Sequence, residues 1–168
     1  VRLAEVLPDC LLLARNWQEF ADRIIQKLGI VLESDRREAL AAFLGKRPVH
    51  KLFGDAGEAT KLPQGKAILT LSPKFAIADI YELRHFEIFS PDVTGAAKPD
   101  PAAFLAVLEK MKADPEETAM VGDSLENDIL PAQSLGIKPI LLDRGGKIKN
   151  AALPIVKIKS LKELKKYL

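Results

Sequence analysis

The first third of the chain carries hydrophobic residues at the spacing of an amphipathic helix. Asn16 and Glu19 form a start that resembles a capping box, and Gly29 follows as a stop signal. Between them the apolar residues recur every three or four positions, at Trp17, Phe20, Ile24, Ile25 and Leu28. This pattern predicts a helix over 17–28.

A second amphipathic helix is predicted soon after the first. Ser34 is expected to cap it and Gly45 to end it. The apolar face of this helix is expected to hold Leu40, Phe43 and Leu44. Residues 46–65 contain several Gly and Pro residues and are less regular, and Asp55 in this stretch is interpreted as a turn residue.

Short apolar runs alternate with helical segments in the remainder of the chain. The runs predict strands at 67–71, 85–89, 118–121, 140–142 and 155–158. Pro73 and Pro101 open two of the intervening helices. A third helix is expected to begin near Asn127, because Pro131 is tolerated only in a first turn. Apolar strands joined by helices are typical of an α/β fold, a parallel sheet with helices on both faces.

Composition and charge exclude several classes of protein. The chain has 168 residues, of which 48% are hydrophobic, enough for one domain with a core. Its net charge of +2 gives no reason to expect a nucleic acid or a membrane surface as partner. No apolar run approaches the roughly 20 residues of a membrane span, and no signal peptide is expected. The single cysteine, Cys10, cannot form an internal disulfide and fits a cytoplasmic setting, while His50 and His85 are isolated.

Polar residues with phosphate and metal chemistry follow the predicted strands. Thr70 and Ser72 end a strand beside a helix N-terminus, where hydroxyls and N–H groups can hold a phosphate. Lys98 lies in a loop with two prolines, where a fixed ammonium can neutralise phosphate oxygens. Asp123 and Asp128 surround a strand-to-helix turn and suit Mg²⁺. Because parallel strands present their carboxyl ends at one edge, these residues are expected to share a crevice.

The segments GAAKPDPAAF and MVGDSLENDILPAQSLGIKPILL resemble the haloacid dehalogenase (HAD) superfamily, in its phosphatase-like branch. The resemblance covers about residues 66–168. It implies that Thr70 is the hydroxyl that hydrogen-bonds phosphate and that Lys98 stabilises the nucleophile and the transferring phosphoryl group. It further implies that Asp123 is a metal ligand and that Asp128 supports the metal site. The GDSxxND pattern favours the Mg²⁺-dependent phosphatases over the true dehalogenases.

The same resemblance implies a domain organisation and a reaction. A Rossmann-like α/β core would comprise 1–14 and 64–168, and residues 15–63 would form a small helical cap that selects the substrate. The expected activity is hydrolysis of a small phosphorylated substrate with Mg²⁺ as cofactor. Neither nucleic acid nor membrane is expected as a partner.

One motif of the family is missing from this sequence. The family's first strand ends in Asp-x-Asp-Gly-Thr, which holds the nucleophile and the general acid/base, and no such string occurs here. In the best register Leu7 takes the nucleophile position and Asp9 the acid/base position. A second register places Ala14 and Asn16 at these positions and supplies no nucleophile either.

Two explanations and two functions therefore stay open at this point. Either the chain lacks its real N-terminus, so that 1–14 is a later helix and loop, or it is a natural HAD-fold chain that has lost its nucleophile. The first function is a phosphomonoester phosphatase. The second is a non-catalytic HAD-fold protein that binds a phosphorylated ligand or a protein partner. In either case Mg²⁺ binding is expected to be weak.

Overall fold

A computed structural model of the chain describes residues 10, 14–46, 52–77, 80–148 and 154–168. The chain divides into two compact units. The first comprises Val1–Lys51 and Ala67–Ala97, and the second comprises Leu52–Lys66 and Lys98–Leu168. The division into a core (1–14 and 64–168) and a cap (15–63) stays a prediction. No helix among the described residues is long and apolar enough to cross a bilayer.

Helices and strands alternate along most of the described chain. The helices are α1 (Trp17–Leu28), α2 (Ser34–Gly45), α3 (Ala56–Thr60), α4 (Lys74–Ile77), α5 (Pro91–Thr94), α6 (Pro101–Met111) and α7 (Leu130–Ser134). The strands are β1 (Ala67–Leu69), β2 (Glu87–Phe89), β3 (Ala119–Gly122), β4 (Lys138–Leu142) and β5 (Val156–Ile158). Further turns of 3₁₀-helix cover Tyr81–His85, Pro115–Glu117 and Leu161–Lys166, and a π-helical turn covers Leu125–Ile129.

The ends of α1 form as their residues predict. The side-chain oxygen of Asn16 accepts the backbone N–H of Glu19 at 2.8 Å. Gly29 ends the helix with a φ of +65°, a conformation that glycine adopts without strain. The Glu19 carboxylate in turn accepts the backbone N–H of Arg15 at 2.9 Å, which satisfies a further N–H before the helix.

The prediction for α2 is wrong in two details. Ser34 is the first helical residue rather than the cap; the cap position is held by Glu33, which makes no side-chain cap bond. Phe43 is 73% exposed, whereas Ala41 is buried. Leu40 and Leu44 are half-buried beside Ala41, so the covered side of the helix runs through these residues and Phe43 falls outside it.

The core of the first unit joins α1 to neighbouring residues. The buried cluster consists of Cys10, Ala14, Phe20 and Ile24, flanked by the half-buried residues Trp17, Leu28, Leu44 and Phe75. The Trp17 ring meets the Phe75 ring edge-on, with 4.9 Å between the ring centroids. Cys10 itself is almost completely buried in this cluster.

All of the strand pairs among the described residues are parallel, which confirms the α/β class. In the first unit β1 pairs with β2, with Leu69 opposite Phe89. In the second unit β4 lies between β3 and β5. The strand predicted at 67–71 is shorter than expected and ends at Leu69, because the backbone turns after Thr70, whose side-chain oxygen accepts the N–H of Ser72.

The second unit has its own hydrophobic core. Ile140 and Ile158 of neighbouring strands bury their side chains with Leu164 of the C-terminal 3₁₀-helix. Ser160 and Glu163 form a complete capping box at the start of that helix. The box fixes the direction in which the chain leaves β5, so Leu164 reaches the sheet.

We expect that Asn16→Ala lowers the free energy of unfolding by about 1 kcal/mol, because it removes the cap bond of α1. Thermal or urea denaturation measures the effect. Ser34→Ala is the matched control, since Ser34 makes no cap bond, and its change is expected within about 0.5 kcal/mol. Equal losses in the two variants would contradict the assignment of the cap.

Candidate active site

The carboxyl end of β3 is the centre of the candidate site. The strand ends at Gly122, and Asp123 follows at an exposed position. The hydroxyl of Ser124 accepts the backbone N–H of Asn127 at 3.1 Å, which caps the next turn. This turn brings Asp128 back towards the strand end, where it is buried.

That turn is π-helical, and the α-helix begins later than predicted. The N–H of Ile129 donates to the Ser124 carbonyl five residues before it, at 3.2 Å. The α-helix α7 starts only at Leu130, so the predicted start near Asn127 is wrong. Pro131 nevertheless occupies the first turn of α7, as its missing N–H requires.

Asp128 and Lys98 form a buried ion pair. The ammonium of Lys98 donates to Oδ1 of Asp128 at 2.5 Å, and these side chains are 12% and 5% exposed. The backbone N–H of Ser124 donates to the second oxygen, Oδ2, at 3.1 Å. Both oxygens of Asp128 are thus engaged, and the position of the Lys98 ammonium is fixed.

Gly122 makes room for this pair. A Cβ at position 122 would lie 2.4 Å from both Cβ and Oδ2 of Asp128, far inside contact distance. Any other residue at 122 would therefore displace the carboxylate that holds Lys98. The glycine of the GDS sequence is required here because two chain segments approach closely.

The loop that presents Lys98 ends at a well-formed helix start. The Asp100 side chain accepts the N–H of Ala102 at 2.9 Å, and Pro101 takes the first helical position of α6. This agrees with the predicted start of α6. Lys98 thus lies two residues before a capped helix, which limits the movement of its backbone.

Asp123 and Asp128 differ in their suitability as metal ligands. The exposed carboxylate of Asp123 is a hard oxygen ligand at a strand end, which fits a Mg²⁺ ion that keeps most of its waters. Asp128 uses its oxygens for Lys98 and Ser124. Within the described part of the chain, no three acidic, His or Cys side chains lie together as a metal cluster. The assignment of Asp123 and Asp128 to a metal site stays a prediction.

Thr70 and Ser72 lie in the first unit. The Thr70 oxygen accepts the Ser72 N–H at 2.9 Å, and the Thr70 N–H donates to Phe89 of β2 at 2.9 Å. Ser72 precedes α4, which begins at Lys74. Lys98, Asp123 and Asp128 belong to the second unit. A common crevice for Thr70, Lys98 and Asp123 stays a prediction, and Asp9 and Leu7 lie outside the described residues.

Sequence reasoning did not single out two of the residues around these strand ends. Gly122 belongs to the GDS motif, and the sequence feature that accompanies its close approach to Asp128 is their spacing of six residues. Ser90 follows β2, is completely buried, and donates to the carboxylate of Asp92 at 2.5 Å. Ser90 directly follows a strand, as Thr70 does, and this position is the sequence feature that could have identified it.

The chain matches known proteins along most of its length. A family model for haloacid dehalogenase-like hydrolases matches residues 12–136. The phosphoserine phosphatase of Thermus thermophilus is 30% identical over 139 residues, which cover 76% of this chain and 55% of that protein. The phosphoglycolate phosphatase of Vibrio cholerae is 39% identical over 75 residues, 42% of this chain and 33% of that protein. The chain thus spans about half or less of the curated relatives that it matches.

Solved structures show the same fold. A 2-haloacid dehalogenase from Pseudomonas syringae aligns with a TM-score of 0.68 at 23% identity, covering 98% of this chain and 78% of that one. A HAD phosphatase from Thermococcus onnurineus aligns with a TM-score of 0.64 at 24% identity, covering 97% and 77%. Identities this low establish the architecture and not the reaction.

Gly122→Ala is expected to lower the free energy of unfolding by about 1–3 kcal/mol, because the added methyl group overlaps Asp128. Chemical denaturation measures the loss. Gly57→Ala in α3 is the control: nothing lies within 4 Å of a Cβ there, and alanine favours a helix, so stability should be unchanged or rise by up to about 1 kcal/mol. A Gly122→Ala variant as stable as the wild type would contradict the close approach.

Proposed function

Because this chain belongs to the haloacid dehalogenase-like hydrolases, we propose that its residues form a Mg²⁺-dependent phosphomonoester phosphatase site. The observation that carries the proposal is the buried pair of Lys98 and Asp128 at the end of β3. A lysine held in this way is a preorganised cation for an anionic substrate. The substrate class that we propose is a small phosphorylated molecule, in keeping with the names of the matched phosphatases.

Lys98 has the chemistry to bind a phosphoryl group. An ammonium has three N–H donors, and Asp128 takes one of them. Two donors therefore remain for phosphoryl oxygens. Since Asp128 fixes the ammonium beforehand, little side-chain freedom is lost when the substrate binds.

Asp123, Thr70 and Ser72 complete the proposed set of residues. Mg²⁺, when bound, neutralises charge on the phosphoryl oxygens, and Asp123 is the ligand proposed for it. The hydroxyl of Thr70 uses a lone pair for the Ser72 N–H, and its hydrogen can be donated to a phosphate oxygen. Asp128 contributes by holding Lys98, and in this way supports the site.

The nucleophile is the part that this sequence does not supply. Phosphatases of this kind of chemistry need a carboxylate that attacks phosphorus and forms an aspartyl-phosphate, which water then hydrolyses. In the favoured register Leu7 stands at that position and cannot attack, while Asp9 would act as general acid/base. The second candidate function, a non-catalytic protein that binds a phosphorylated ligand or a protein partner, needs no such carboxylate.

Binding of inorganic phosphate tests the proposed role of Lys98 directly. A phosphatase requires such binding, and so does a non-catalytic protein that binds a phosphorylated ligand. Lys98→Met should weaken phosphate binding by about tenfold or more, the effect of losing charge-assisted hydrogen bonds. Lys61→Met is the control, since Lys61 pairs with Glu58 at an exposed position. Titration calorimetry without Mg²⁺ measures both variants. Unchanged phosphate affinity in Lys98→Met would refute the proposed role.

Mg²⁺ binding is expected to be weak and to depend on Asp123. Few charged ligands surround the proposed position, so the affinity should be low, and Asp123→Asn should abolish it. Glu126→Gln, which changes an exposed acid in the next turn, should bind Mg²⁺ like the wild type. Calorimetry with MgCl₂ distinguishes the variants. Tight binding that survives Asp123→Asn would contradict the assignment.

The 168-residue chain is expected to hydrolyse p-nitrophenyl phosphate with Mg²⁺ at or near the background rate. Loss of a covalent nucleophile costs on the order of 10⁴ to 10⁶ in rate. A triple change of Leu7→Asp, Cys10→Gly and Leu11→Thr should restore turnover if the favoured register is right. Turnover by the unmodified chain at roughly 1 to 10³ per second would show that another carboxylate is the nucleophile.

A further inference from the structure

Asp55 is a buried carboxylate outside the proposed phosphatase site. It was predicted to lie in a turn, and it does, directly before α3. Its side chain is nevertheless only 7% exposed, which is unusual for a turn aspartate. The contacts that hold it come from residues far away in the sequence, so a local turn does not account for its burial.

Three donors converge on one oxygen of Asp55. Oδ2 accepts the Arg144 guanidinium at 2.7 Å, the Ser160 hydroxyl at 2.7 Å and the backbone N–H of Leu161 at 2.8 Å. The other oxygen, Oδ1, is buried and has no hydrogen-bond partner among the described residues. The bonds from Arg144 and Ser160 hold the pKa of Asp55 far below its usual range, although burial opposes this.

Arg144 is held from two directions by the same short segment. Its guanidinium also stacks on the Phe53 ring, with 4.2 Å from Cζ to the ring centroid. Phe53 itself is 66% exposed. Asp55 and Phe53 therefore act together on a residue that follows β4.

The segment that contains these residues, Leu52–Lys66, is termed the strap. Along the chain it lies between two stretches of the first unit, yet it packs in the second unit. Within the strap, α3 packs against the C-terminal 3₁₀-helix Leu161–Lys166. Besides Asp55 and Phe53, Leu62 packs against the cluster of Ile140 and Ile158.

We propose that Asp55 is a latch that holds the strap on the second unit and that can open without unfolding this unit. The latch consists of Asp55 with Arg144, Ser160 and Leu161. Asparagine keeps an acceptor oxygen but not the charge, so Asp55→Asn weakens the bonds from two segments, Arg144 and Ser160–Leu161. The strap is then held by Leu62 and by the packing of α3 against Leu161–Lys166, and its local opening becomes more frequent.

Hydrogen–deuterium exchange of the 168-residue chain, read by mass spectrometry, tests the latch. Asp55→Asn keeps the size of the side chain and removes its charge. Amides of the strap and of Leu161–Lys166 should then exchange about tenfold or more faster, while β3 and α6 keep their rates. Glu58→Gln is the matched control in the same strap, because its exposed pair with Lys61 contributes little.

Two results would overturn the latch. The first is unchanged exchange of the strap in Asp55→Asn. The second is a uniform acceleration throughout the second unit, which would make Asp55 a general stabilising residue. Should Asp55→Asn fail to fold, Arg144→Met removes one of the three donors together with the contact on Phe53, and it should accelerate exchange of the strap by a smaller factor. The phosphate-binding measurements on Lys98→Met are independent of these results.

Discussion

The buried ion pair between Lys98 and Asp128 is the constraint on which the candidate site depends. Two opposite charges removed from water stabilise a protein only when their geometry is good and their remaining hydrogen-bonding capacity is used. Both conditions are met at the end of β3. The Ser124 N–H donates to Oδ2 of Asp128, the oxygen that Lys98 does not contact, and Gly122 leaves room for the carboxylate. The local backbone follows from this demand. A π-helical turn places Asp128 beneath the strand end, and α7 starts only afterwards.

Asp55 is a second buried acid in an ion pair, and its hydrogen bonds are arranged differently from those of Asp128. It too is an acid inside the second unit with a basic partner, Arg144. Its donors, however, saturate a single oxygen, and the guanidinium is further occupied by the Phe53 ring. Arg144 is thereby tied to the strap by two contacts, with Asp55 and with Phe53. Lys98 is paired with Asp128 at the end of a strand, the place where parallel sheets bind ligands.

Several features that depend on neighbours in sequence were predicted correctly, although the cap of α2 was not. The cap of α1 by Asn16, its end at Gly29 and the start of α6 at Asp100 each rest on contacts within four residues. The parallel class followed from apolar runs separated by helices. The prediction that Phe43 belongs to a covered face depended on packing, and it was wrong. Periodicity indicates a hydrophobic face, but only the neighbouring element determines which residues of that face are covered.

The sequence by itself determined the α/β class, the family resemblance and the candidate residues Lys98, Asp123 and Asp128, because these are written in short motifs and local periods. The tertiary structure decided what two of the buried acids do. Asp128 meets a lysine 30 residues away, and Asp55 meets an arginine 89 residues away. Contacts of this kind form only when strands and helices have packed, since the sequence separation leaves the chain between them free to take many paths.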